Sequence, residues 1–300
     1  MDWASTAILS AALVGVVNII DSYMLSKRMP GLQAFLLPVG IIHSGYGLFV
    51  FYLVPLAEGV SVWLILLAIA AGMLRTSAVL IMLYYFRRKE VSRVVPVVNI
   101  YPIFVAIIAI PLLGETLYYL QWLAIVIVVA GAVVISTEKE SSGSINLLSK
   151  PFLFLFIASL LFAVADVASK YTLTYISFWN LFSITAVCMG GTFLLVSVRP
   201  RILGQWRDME RKSSAIALLT FNEILAPLAI MLSLWAMQRG QVSLVSTILG
   251  SRPIFVALYS LILGRLAPEF LRWSALSEGW VLRLVATGMI VGGIAIIYLT

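Results

Sequence analysis

Pro102-Ile103-Phe104-Val105-Ala106 and Pro253-Ile254-Phe255-Val256-Ala257 are the same five residues written twice in a chain of 300. The segment holding the first block ends at Leu113-Gly114-Glu115, and the segment holding the second ends at Leu263-Gly264-Arg265. Identical cores half a chain apart mark an internal duplication. Both lie in apolar segments long enough to cross a bilayer, and a membrane chain made of two similar halves has the usual construction of a transporter.

Composition fixes the solvent. Hydrophobic residues make up 62% of the chain and charged residues 11%, whereas a soluble globule carries about 25% charged residues. The formal charge of +7 comes from basic residues scattered between apolar spans, a pattern of topology signals rather than of nucleic-acid binding. Cys188 is the single cysteine, which excludes an intrachain disulfide and a CxxC metal site and reads as a small packed thiol. The first apolar run follows an n-region without Lys or Arg and extends from Ala4 to Met24. That is longer than a signal-peptide h-region of about 7 to 15 residues, so a retained span is expected.

Ten apolar runs are present, at 4–24, 32–54, 61–86, 93–112, 118–136, 151–175, 178–198, 213–237, 241–263 and 281–299. They predict an all-α polytopic membrane protein of ten transmembrane helices, arranged as two five-helix repeats. The polar stretch 138–150, with Glu138, Lys139, Glu140, Ser141, Ser142, Gly143 and Ser144, is expected to link a first repeat, 1–137, to a second, 151–300. Asn18 and Tyr23 in the first run correspond to Asp166 and Tyr171 in the sixth. Gly131 in the fifth run, and Gly288, Gly292 and Gly293 in the tenth, are expected to let helices pack closely. Between Pro268 and Trp280 the second half has an insertion, which reads as a surface-lying helix or as a loop. An odd number of spans per half means that the second half enters the membrane from the opposite side, giving inverted repeats.

Sixteen basic residues fall in loops on one side, among them Lys27, Arg28, Arg87, Arg88, Lys89, Arg199 and Arg201, against Arg239 alone on the other. The excess predicts a cytoplasmic basic side, both termini outside the cytoplasm, and residence in the plasma (inner) membrane.

Five-span halves, a proline in the fourth span of each, and Leu113-Gly114-Glu115 followed by Gln121-Trp122 and a fifth span containing Gly131 resemble the EamA repeat of the drug/metabolite transporter superfamily. The resemblance covers the whole chain and implies two EamA-like repeats forming a ten-helix bundle around a central substrate cavity. Arg265 departs from it by standing where the pattern has Glu, and the charge bias departs from the usual placement of both termini inside.

Ionisable groups in hydrocarbon cost free energy unless they face a cavity or a partner, so each is a site candidate. Arg75, Arg252 and Lys170, with the polar Tyr101, Asn99 and Asn18, are the expected substrate-binding residues; the basic groups suit a negatively charged substrate group. Asp166 and Lys170, four apart on one helix, either neutralise each other or serve the cavity. Arg252 precedes Pro253, where a helix loses a backbone donor. Glu223, beside Asn222, is read either as a proton-coupling carboxylate or as the permanent partner of Arg75 or Arg252, and Asp166 shares that coupling or pairing role. Asp21 reads as a partly solvated acid at a helix end, His43 as a packing group, and Glu115 as a cap or loop anchor. No HExxH, GxSxG, P-loop or dinucleotide motif is present, and one histidine excludes a multi-histidine metal site.

Neither a cofactor nor a catalytic or metal site is expected. The sequence therefore predicts a non-enzymatic secondary transporter of a small polar metabolite, anionic or zwitterionic, working by alternating access, with the substrate and the bilayer as partners. A flippase for a lipid-linked substrate is the alternative, and a membrane-embedded enzyme or scaffold is a more distant one.

Overall fold

A computed structural model describes residues 2–89, 91–134, 150–207, 212–266 and 280–300. The expected linker 138–150, apart from Lys150, and nearly all of the insertion from Pro268 to Trp280 lie outside the described residues.

The first helix, α1 (Trp3–Tyr23), is started by Asp2, whose carboxylate accepts the Ser5 amide at 2.7 Å, a capping bond for an otherwise unpaired donor. Tyr298 donates to the same carboxylate. The Tyr298 hydroxyl and the Ser5 amide hold the Asp2 carboxyl below its ordinary pKa. A π-helical turn, Met24–Arg28, carries α1 into a basic loop. There follow α2 (Leu32–Leu53), α3 (Val62–Phe86), α4 (Val91–Val98), α5 (Tyr101–Leu113) and α6 (Tyr119–Val134). The second half runs through α7 (Lys150–Leu173), α8 (Phe178–Ser197), α9 (Pro200–Arg207), α10 (Lys212–Arg239), α11 (Val242–Leu249), α12 (Arg252–Leu266) and α13 (Trp280–Leu299).

Eight spans among the described residues are long and apolar enough to cross a bilayer, counting α4 with α5 and α11 with α12 as one crossing each. The other two expected spans correspond to α6 and α13, whose described apolar stretches are Tyr119–Val134 and Val285–Leu299. Large apolar side chains such as Leu48, Phe49, Leu112, Leu195 and Ile224 are exposed on the outside, as a lipid-facing surface requires.

Packing repeats itself between the halves. Helix α3 lies along α7 as α10 lies along α1, and α5 meets α7 as α12 meets α1. The equivalent helices α2 and α8 pack on each other, as do α6 and α13. Both of these pairs are antiparallel. Along α2 and α8, Gln33 donates to the Val196 carbonyl at 3.2 Å, Ser183 to that of Gly47 at 2.6 Å, and Asn180 to that of Val54 at 2.6 Å. Residue numbers rise on one helix as they fall on the other. Equivalent helices that run antiparallel require a two-fold axis in the membrane plane, whereas an axis along the membrane normal would leave them parallel.

Between α6 and α13 the helices approach through Gly131, against the Ala286 carbonyl and Ile290, and Gly293, against Val128 and the Ala124 carbonyl. Gly288 and Gly292, expected to share this role, face open space.

The fourth span of each half departs from its expected continuous form. It is broken, not bent: α4 ends at Val98 and α5 begins at Tyr101, while α11 ends at Leu249 and α12 begins at Arg252. Pro102 and Pro253 each become the second residue of a new helix, where the missing N–H costs nothing because that donor has no intrahelical partner. The two breaks lie close together, with Gly250 against the Pro102 ring.

Candidate functional site

Between the halves lies a cavity of about 130 Å³, walled by Val17, Phe35, Val39, Met82, Phe162, Met189, Phe193 and Ile230. Its polar lining is Asn18 and Asp21 from α1, His43 from α2, Arg75 from α3, Asn222 and Glu223 from α10, and Arg252 from α12. The α1 and α3 residues lie in the parts of those helices leading to Lys27, Arg28, Arg87 and Arg88, so the cavity is displaced towards the basic end.

Two seams carry the charges. On the α3–α7 seam Arg75 Nη2 lies 2.6 Å from Asp166 Oδ1, and Ser246 on α11 donates to Asp166 Oδ2 at 3.1 Å. Asp166 is buried and leaves the cavity wall to Arg75. At the equivalent place on the α1–α10 seam an amide stands in for the cation: Asn222 Nδ2 donates to Asp21 Oδ1 at 2.7 Å. Glu223, one residue along, repels Asp21 electrostatically. His43 Nδ1 bonds the Val39 carbonyl at 3.0 Å and stands 3.1 Å from Glu223 Oε2. That second approach is close without being a directed bond, because Glu223 Oε2 and Asn222 Oδ1 are both buried without a hydrogen-bond partner.

Arg252 makes neither an ion pair nor a hydrogen bond among the described residues, and its buried Nε has no partner. Its guanidinium carbon lies 6.0 Å from the centre of the Tyr101 ring, at the outer limit of a cation–π contact. Tyr101 itself is 2% exposed, its hydroxyl is unpaired, and it packs on Phe162 behind the cavity wall. Asn99 is also buried, with its amide returned to the Val95 carbonyl at 2.6 Å at the end of α4.

Of the substrate-binding candidates, the structure therefore gathers Arg75, Arg252 and Asn18 on the cavity, places Tyr101 and Asn99 behind it, and removes Lys170. Lys170 donates to the carbonyls of Met237 at 2.7 Å and Gly240 at 2.8 Å, at the end of α10. It does not pair with Asp166, which Arg75 takes instead. Glu223 lines the cavity but pairs with neither arginine among the described residues.

Two cavity residues were read otherwise from sequence. Asp21 is buried and lines the cavity, not a solvated helix end. Its three-residue spacing from Asn18 on one helix face is the signal that places both there. His43, the single histidine, reaches the cavity from mid-α2, and a lone histidine among small residues gives no such signal.

Glu115 and Lys170 together hold the turn between α10 and α11. Glu115 accepts from the Val242 amide at 2.5 Å, and from the Ser243 amide at 3.2 Å and hydroxyl at 2.5 Å. A carboxylate thus sits at the positive start of α11 and an ammonium at the negative end of α10, each satisfying orphan backbone groups. This turn lies at the end opposite the basic loops.

Inverted halves around a polar cavity, in a bundle with an apolar exterior, define a polytopic α-helical membrane protein of transporter architecture. Residues 1–137 match the model of the EamA-like transporter family. The match supports membrane transport as the class of function. No curated protein sequence matches this chain. One solved structure, described only as the crystal structure of a protein, superposes with a TM-score of 0.70 over 99% of this chain and 95% of its own. At 16% identity that likeness shows a shared fold, and it extends over both halves.

Proposed function

We propose that this chain is a secondary carrier that moves a small polar metabolite, anionic or zwitterionic, by alternating access. The observation that carries the reading is Arg252, which makes no ion pair or hydrogen bond among the described residues and lines the same cavity as Asp21 and Glu223. A partly buried cation left unpaired away from bulk water is costly, and a substrate's negative group would relieve that cost. Glu223 would meet a substrate amine or take part in proton coupling, while Arg75 is already committed to Asp166.

The repeats supply the movement. Exchanging the conformations of two inverted halves turns an opening on one face into an opening on the other. The cavity's displacement towards the basic end, with Glu115 and Lys170 tying the opposite end, fits a conformation closed on the outer side if the basic loops are cytoplasmic. A chamber of about 130 Å³ is small beside the roughly 300–1,000 Å³ of drug-sized sites, which favours a metabolite over the lipid-linked substrate of a flippase.

Purified protein in liposomes preloaded with one member of a metabolite library should accumulate the same labelled metabolite by counterflow. Arg252→Ala should abolish counterflow while leaving a monodisperse, thermally intact protein; full activity in Arg252→Ala would remove the proposed binding role.

A further inference from the structure

Asp21, Glu223 and Asp166 are three carboxylates at or directly behind the cavity, and they face two guanidinium groups, Arg75 and Arg252. With every acid ionised and His43 neutral, one negative charge remains in a largely apolar cavity. Arg252 pairs with neither Asp21 nor Glu223 among the described residues, so these two carboxylates face each other without a counter-charge in contact, and a proton taken up beside them relieves the repulsion. The surplus lies on the α1–α10 seam, because Arg75 already neutralises Asp166.

His43 is built to hold that proton. Its Nδ1 faces two oxygens, Val39 O at 3.0 Å and Glu223 Oε2 at 3.1 Å. The Val39 carbonyl can only accept, so Nδ1 carries a hydrogen in the neutral ring. Nε2, which makes no hydrogen bond among the described residues, is then the nitrogen left to gain a proton. Protonation there gives an imidazolium 3.1 Å from the Glu223 oxygen that otherwise lacks a partner. Asp21 adds a second negative charge, held in place by the Asn222 amide.

We infer that His43, Glu223 and Asp21 form a one-proton site: a proton from water binds His43 Nε2, the resulting imidazolium charge is balanced by Glu223 beside Nδ1 and by Asp21 on the same cavity, and Arg75–Asp166 takes no part. This rests on the carrier reading for its use, since a proton held in the cavity wall is one that transport can couple to. As a binding site it stands on geometry alone. The surroundings of His43 are accounted for: Asp21 comes from α1, Arg75 from α3, Glu223 from α10, Arg252 from α12, and Tyr46 from α2 itself. Helix α8 presents Met189 and Phe193. Lys27, Arg28 and Arg201, from the π-helical turn and α9 beside α2, line a separate basic cleft.

The single histidine makes the test direct. The full chain, labelled with ¹⁵N-histidine and held in lipid nanodiscs, gives one imidazole whose two nitrogens report protonation as pH is varied, with no substrate needed. The expected result is a neutral form carrying its hydrogen on Nδ1, and a titration midpoint that falls by about one to three units in Glu223→Gln. Asp21→Asn should move it the same way, and carries the test if Glu223→Gln does not fold. Equal midpoints in wild type and variants, or a neutral form protonated on Nε2, would overturn the site. So would a midpoint that shifts when sodium replaces potassium at constant ionic strength, which would assign the position to a metal cation. Because the readout is independent of transport, absence of counterflow would count against the carrier reading and leave the proton site standing.

Discussion

At the scale of single residues, the two arginines in the membrane have opposite environments. Arg75 is 2.6 Å from Asp166, so removing either partner strands a buried charge, at a cost of about 3–5 kcal/mol. Arg75→Gln and Asp166→Asn should therefore each lower the thermal midpoint markedly, and the double variant should recover most of the loss. Additive losses in that cycle would show that the pair is not coupled. Arg252 has no such partner, so Arg252→Gln should leave the midpoint within a few degrees of wild type. The sequence exposed all of these charges simply because they interrupt apolar runs. Their pairing was not legible: Lys170 is four residues from Asp166, the favourable helix spacing, yet the backbone carbonyls ending α10 hold it instead. A contact between α7 and α10 leaves no trace in local spacing, and neither does the reach of His43 into the cavity.

At the scale of elements, the repeated prolines announce a disturbed helix, but its form depends on the residues before them. Asn99 and Ser251 return side chains to the carbonyls of Val95 and Ile248, which satisfies the backbone at each break and makes two helices out of one span. The Glu115 contact with α11 is the other element-level device, and its asymmetry is visible in the repeat motif as Glu115 against Arg265. Replacing Glu115 with Ala removes a charge-assisted cap worth about 0.5–2 kcal/mol. In a Cys188→Ser background carrying Gln241→Cys, Glu115→Ala should make residue 241 several-fold faster to label with a membrane-impermeant maleimide. An unchanged rate would mean that the cap does not hold the turn. Gly131→Leu should be severely destabilising, because even a Cβ there would lie 2.9 Å from the Ala286 carbonyl and from Ile290. Gly292→Leu, facing open space, should be tolerated.

At the scale of the whole molecule, apolar run lengths and the duplicated motif were enough to specify an all-helical bundle of two inverted halves. Inversion follows from parity, and antiparallel α2 against α8 is its physical expression. Run length located the fifth and tenth spans, but not their pairing: they pack on each other through Gly131 and Gly293. The charge bias, taken with the proposed orientation, makes a further expectation. A periplasm-dependent reporter joined after Thr300 should be active and a cytosol-dependent one silent; the reverse would turn the molecule over and exchange import for export.

Asp2, ahead of α1, and Tyr298, in the last turn of α13, touch. The order in which the halves are written is therefore not imposed by the architecture. A permuted gene that joins residue 300 to residue 1 through a short peptide, and opens between 134 and 150, should encode the same bundle with its new ends on the basic face. Counterflow by that permuted protein, equal to the parent's, would make each half a self-contained building block whose sequence in translation is interchangeable.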